Sequence, residues 1–124
     1  MSDSAIISVI DDDESVRVAL DGLLRSHGYR VRTYASAVAF LSSAGFENTA
    51  CVLSDIQMPG MTGIQLCDEL YARGIDIPLV FITGLPVVPA LAIPGGCGPV
   101  AVFPKPFRCG ALVACIESIL ERPV

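Results

Sequence analysis

An acidic run, Asp11-Asp12-Asp13-Glu14, a single acid at Asp55, a hydroxyl at Thr83 and a cation at Lys105 each follow a short, strongly apolar stretch of the chain. If those stretches are strands of one sheet, the polar residues lie along one rim. Carboxylates brought within ~4 to 5 Å repel one another by about 3 to 4 kcal/mol per pair at an effective dielectric near 20, so such a group needs compensating cations. Lys105 supplies one charge. A hard divalent ion held by two or three oxygens is the natural supplement, and magnesium takes few protein ligands while keeping positions for water and phosphate. In that setting Asp55 can attack phosphorus to form an acyl phosphate. Magnesium and Lys105 would neutralise the equatorial oxygens, and the Thr83 hydroxyl would donate to one of them. Taken singly the residues have plainer readings, an acidic run as a solvated helix cap and Lys-Pro as a loop. Their coincidence at the strand ends argues for the site.

The elements that must position these residues are short β-branched runs that begin near residues 5, 30, 50, 78 and 100 and alternate with helical patterns. Ile6-Ile7-Ser8-Val9-Ile10, Cys51-Val52-Leu53 and Leu79-Val80-Phe81-Ile82 are nearly all apolar, as parallel strands covered on both faces are. Val16, Leu20, Leu23, Leu24 and His27 fall at helical spacing, and Gly28 supplies the stop. Ser36 can cap a short helix through Ser43. Thr62-Gly63-Ile64-Gln65 is a capping box that opens a helix with apolar positions Ile64, Cys67, Leu70 and Tyr71, ending at Gly74. A last helix buries Leu112, Val113, Ile116, Ile119 and Leu120. This βα alternation implies an open parallel sheet with helices on both faces, whose ligands sit beyond the carboxyl ends of the strands.

Composition narrows the function further. The 124 residues suit one domain, residues 1–124, and 52% apolar with 17% charged residues indicates a folded α/β core. No uninterrupted apolar run is long enough for a membrane span, and the N-terminus lacks the basic start of a signal peptide, so the expected location is cytoplasmic with no membrane contact. A net charge of −5 with only eight Lys and Arg argues against direct nucleic-acid contact by this chain. Five cysteines without a C-x-x-C pair suggest neither a disulfide framework nor a zinc site, and read as small apolar residues.

Val9-Ile10-Asp11-Asp12-Asp13-Glu14, Ser54-Asp55-Ile56-Gln57-Met58-Pro59-Gly60-Met61-Thr62-Gly63, Ile82-Thr83-Gly84 and Lys105-Pro106-Phe107 resemble the signature blocks of response-regulator receiver domains of two-component systems. The likeness covers nearly the whole chain and is strongest to receivers of nitrogen-fixation-type transcriptional regulators. It implies a doubly wound, flavodoxin-like sheet of order 2-1-3-4-5. It also implies Asp55 as phosphoacceptor, Thr83 and Lys105 on the phosphoryl oxygens, and Mg2+ held by Asp11, Asp12, Asp55 and the backbone carbonyl of Gln57. Asp13 and Glu14 are then cap and dipole residues. A histidine kinase or phosphotransfer protein would donate the phosphoryl group, and an effector domain or protein would receive the signal. The domain would be no enzyme, beyond catalysing its own phosphorylation and dephosphorylation. A cis peptide at Lys105-Pro106 is implied as well.

Two features depart from the family pattern. Leu85 to Pro99 holds prolines at 86, 89 and 94 and glycines at 95 and 96, so the fourth helix, between the fourth and fifth strands, is expected to be irregular or shortened. Receivers usually place an aromatic three residues before the lysine, where this chain has Val102. Phe103 is one position off and is expected on the opposite sheet face. These departures motivate a rival reading, a phosphorylation-independent interaction module on the same fold. A haloacid-dehalogenase-like phosphohydrolase with Asp11 as nucleophile is a further alternative, opposed by the lack of an acidic pair after Lys105.

Overall fold

Residues 5–84, 101–105 and 108–120 of the chain are described in a computed structural model. The fourth-helix segment at Leu85 to Pro99 and the peptide at Lys105-Pro106 lie outside the described residues. Five strands, β1 (Ile6–Ile10), β2 (Arg30–Tyr34), β3 (Cys51–Ser54), β4 (Leu79–Thr83) and β5 (Ala101–Pro104), pair in parallel in the order β2-β1-β3-β4-β5. This is the flavodoxin-like order that the family likeness implies.

Side chains alternate across the sheet and divide the interior into two layers. Ile7, Val9, Val31, Cys51, Leu53, Val80 and Ile82 face helices α1 (Glu14–Ser26) and α4 (Cys109–Leu120), meeting Leu20, Leu24, Leu112, Ile116 and Ile119. Ile10, Val52, Leu79 and Phe81 face α2 (Ala37–Leu41) and α3 (Gly63–Ala72), meeting Ala37, Phe40, Leu66, Cys67 and Leu70. On β5 the same alternation puts Val102 against the α2–α3 layer and Phe103 against the α1–α4 layer, as the strand parity predicts. Burying a large aliphatic or aromatic side chain contributes roughly 1.5 to 3 kcal/mol, so these two layers supply most of the driving force.

The helix ends are written locally. Asp13 caps α1 by accepting from the Ser15 N–H at 2.9 Å, and the helix closes at His27 before Gly28, whose φ of 90° suits glycine. Ser36 caps α2, which is shorter than the Ser36 to Ser43 run suggests and is followed by a 3-10 turn at Phe46–Asn48. In α3 the capping box closes as expected: Gln65 N–H donates to Thr62 Oγ1 at 3.1 Å, and Thr62 N–H donates to Gln65 Oε1 at 2.9 Å. One expectation fails there. Tyr71 is 52% exposed, whereas Cys67 and Leu70 are buried as expected and Leu66 joins them. The described cysteines are free thiols, and burial pushes that of Cys51 up to about 12.

Candidate functional site

The two acids at the heart of the site are brought together by strand register. Ile10 on β1 pairs with Ser54 on β3, and the Asp55 N–H donates to the Ile10 carbonyl at 3.1 Å. The next residue of each strand is therefore an aspartate, and adjacent strands stand only about 4.7 to 4.9 Å apart. Both side chains are largely sequestered, Asp11 at 3% and Asp55 at 11% exposure. Lys105, just past β5, answers both: its Nζ lies 3.1 Å from Asp11 Oδ2 and 3.1 Å from Asp55 Oδ2. Its backbone N–H donates to the Thr83 carbonyl at 2.7 Å, tying the lysine to the end of β4.

The remaining oxygens are held by nearby backbone. Asp11 Oδ1 accepts from the Asp13 N–H at 2.9 Å, and Asp55 Oδ1 accepts from the Gln57 N–H at 3.2 Å. Burial raises the Asp11 carboxyl above its ordinary value. The Asp13 N–H and Lys105 pull it down without cancelling that effect, and the Asp55 charge adds to it. Burial works to lower the Lys105 ammonium, but its hydrogen bonds to Asp11 and Asp55 and their charges prevail and hold it above the usual lysine range. Two acids facing one base leave an excess of negative charge.

The donor set fits a hard cation. Asp11, Asp12 and Asp55 each offer a carboxylate oxygen, and the three oxygens lie within 4.8 Å of one another. Asp12 is exposed beside its two buried partners, so an ion there would meet protein on one side and water on the other. Asp13 is not part of this group, because its carboxylate is committed to Ser15 through the backbone N–H and through Oγ at 2.6 Å. Thr83 is buried at the carboxyl end of β4, on the same rim.

The close approach of α3 to β3 completes the geometry. A Cβ on Gly63 would stand 2.4 Å from the Asp55 carbonyl oxygen and 3.1 Å from Ile56 Cα, so only glycine lets the helix start against the turn that carries Asp55. The Gly63 N–H donates to the Ile56 carbonyl at 2.9 Å across that contact. Type and spacing in the sequence point to Asp11, Asp12, Asp55 and Lys105, and the fold gathers them. They do not point to Arg17, whose Nη1 donates to the Asp11 carbonyl at 2.7 Å. The one available signal was a cation in the N-terminal part of a helix, where the dipole disfavours it.

Residues 7–117 match the family model described as the response regulator receiver domain. The transcriptional regulatory protein FixJ of Azorhizobium caulinodans is 36% identical over 122 residues, covering 98% of this chain and 58% of FixJ. A structure of the response regulator StyR superposes with a TM-score of 0.87 at 38% identity, covering 96% of this chain and 60% of that one. The crystal structure of FixJ-N superposes with a TM-score of 0.83 at 33% identity, covering 100% of this chain and 98% of that one. The chain thus spans a little over half the length of FixJ and StyR.

Proposed function

Because the chain belongs to the response regulator receiver domain family, we propose that it is a switch that takes a phosphoryl group onto Asp55. The observation that carries this reading is Lys105 Nζ, 3.1 Å from both Asp55 and Asp11, beside a carboxylate group suited to a divalent ion. A histidine kinase or phosphotransfer protein is the proposed donor. An Asp55 oxygen attacks phosphorus, the phosphorus bond to the donor's imidazole nitrogen breaks, and the imidazole leaves. Lys105 lies at hydrogen-bond distance from Asp55 and so stays close to the oxygens of the incoming group. Thr83, at the end of the neighbouring strand, offers its hydroxyl to one of them. Asp11, Asp12 and Asp55, with the Gln57 carbonyl, are the proposed Mg2+ ligands. Bound magnesium supplies positive charge that stabilises the phosphoryl oxygens as the bond changes hands.

The proposed chain of events ends in altered binding of an effector domain or protein, with residues 1–124 acting as one domain in the cytoplasm. Among the described residues no helix is long and apolar enough to cross a membrane. The test is intact mass after incubation with acetyl phosphate and Mg2+. One added phosphoryl mass is expected, absent in Asp55→Asn and strongly reduced in Lys105→Ala. Label that survives in Asp55→Asn would refute the assignment.

Val102 supports a second reading. It lies where receivers usually carry an aromatic, and Phe103 faces the opposite layer, so no aromatic of β5 packs on the α2–α3 side. A module that binds its partner regardless of phosphorylation fits that arrangement, and equal partner affinity with and without acetyl phosphate would favour it.

A further inference from the structure

Arg17 occupies the fourth position of α1, near the end where the helix dipole opposes a cation. Long side chains on a helix lean toward its N-terminus. That of Arg17 does so, and Nη1 ends 2.7 Å from the backbone carbonyl of Asp11. Among the described residues the ion pairs are made by Arg25, Arg73 and Lys105, so the Arg17 guanidinium is committed to a carbonyl while acids lie close by.

That carbonyl belongs to the peptide joining Asp11 to Asp12. The preceding peptide is also held, since the Asp11 N–H donates to the Tyr34 carbonyl at 3.1 Å. The Asp11 carboxylate has its own restraints in Asp13 and Lys105. Asp12 differs: it is exposed, and among the described residues its carboxylate has no hydrogen-bond partner, yet it belongs to the group of three whose oxygens lie within 4.8 Å. The backbone fixes the point from which this short side chain starts, and so which positions its oxygens can reach.

We propose that Arg17 is a positioning residue for the divalent-cation site, holding the Asp11–Asp12 peptide so that the Asp12 carboxylate faces Asp11 and Asp55. The proposal rests on the reading of those three acids as a cation site. Two physical effects oppose each other here, and their signs differ. As a nearby positive charge, Arg17 repels a divalent ion, and its removal would tighten binding. As the anchor of the peptide, it keeps Asp12 aimed, and its removal would weaken binding. Residues that orient metal ligands typically carry about tenfold or more in metal affinity, enough to outweigh a partly screened repulsion.

The experiment is Mn2+ uptake followed by electron paramagnetic resonance in the full chain, for wild type, Arg17→Met and Arg17→Lys, with urea unfolding of each as a check on folding. Arg17→Met is expected to bind about tenfold more weakly, and Arg17→Lys, which can still donate one hydrogen bond to the carbonyl, to fall between it and wild type. With acetyl phosphate, the Mg2+ concentration giving half the maximal phosphorylation rate is expected to rise by the same factor, while the rate at saturating Mg2+ is unchanged. A loss of fold alone would not separate those two quantities. If Arg17→Met does not stay folded, Arg17→Lys carries the test, and weaker binding than wild type is its expected result. Unchanged or tighter binding by the variant under test overturns the positioning role while leaving the site intact. A wild-type protein that takes up no Mn2+ overturns the site itself, and the proposal with it.

Discussion

The Asp11 side chain is the most compromised group of the site, buried against a second carboxylate and answered by a lysine that it must share. Its carboxyl is raised above the ordinary value of 3.8, so the folded protein binds that proton more readily than the unfolded chain does. The ionised form therefore costs stability at every pH above the folded value, and the cost fades as pH falls from there toward the unfolded value. Asp11→Asn, which keeps an acceptor for Lys105, is expected to stabilise the metal-free protein at pH 7, because the variant buries no charge there. The gain should shrink toward pH 4, and Mg2+ should stabilise the wild type more than the variant. Urea midpoints across pH, with and without Mg2+, check all three points; a less stable Asn variant at pH 7 would mean that Lys105 more than offsets the burial. Residue types told much of this in advance, because a lysine and several acids at the ends of apolar runs have few structural uses. Arg17 left only the faint signal of a cation near a helix N-terminus, since a hydrogen bond to a carbonyl demands no particular partner residue and leaves no pairing pattern to read.

At the level of elements, glycines in two helices have opposite meanings. Gly63 opens α3 in contact with the backbone of Asp55 and Ile56, whereas a Cβ on Gly22 in α1 would meet nothing within 4 Å. Gly63→Ala is expected to destabilise by about 1 to 3 kcal/mol, as forced overpacking does, and to displace the Asp55 turn enough to slow phosphorylation. Gly22→Ala is expected to stabilise by about 0.5 to 1 kcal/mol through helix propensity alone, with phosphorylation untouched. Chemical denaturation paired with acetyl phosphate labelling tests both, and a well-tolerated Gly63→Ala would remove the close approach from the account of the site. The caps at Asp13 and Thr62 and the stop at Gly28 were legible because each is a local signal read within four residues. The buried face of α3 was legible only in part. Ile64, Cys67, Leu70 and Tyr71 form as regular a helical stripe as Leu66, Cys67 and Leu70, and only the packed sheet shows that the helix turns Leu66 inward and Tyr71 outward.

On the scale of the whole molecule, the βα alternation was legible in the apolar runs and the strand order came with the family likeness, while side-chain alternation along a strand made Val102 and Phe103 separable before any coordinates. What no local pattern encodes is when the rim comes into being. Lys105 meets Asp11 across 94 residues of chain and Asp55 across 50, and the strands that bring them level include β1 at one end of the sequence and β5 near the other. Contacts of such separation carry the largest loop-closure entropy and tend to form late in folding. A cation that needs the finished rim therefore has nothing to hold in a partly assembled sheet. Its stabilisation should fall almost wholly on the unfolding limb of the kinetics, slowing escape from the native state while leaving refolding at its metal-free rate. Stopped-flow denaturant jumps with and without Mg2+ read both limbs directly, and faster refolding with the ion would place rim assembly before the barrier. On this account the ion does not guide the chain to its fold; it lengthens the lifetime of a fold already reached.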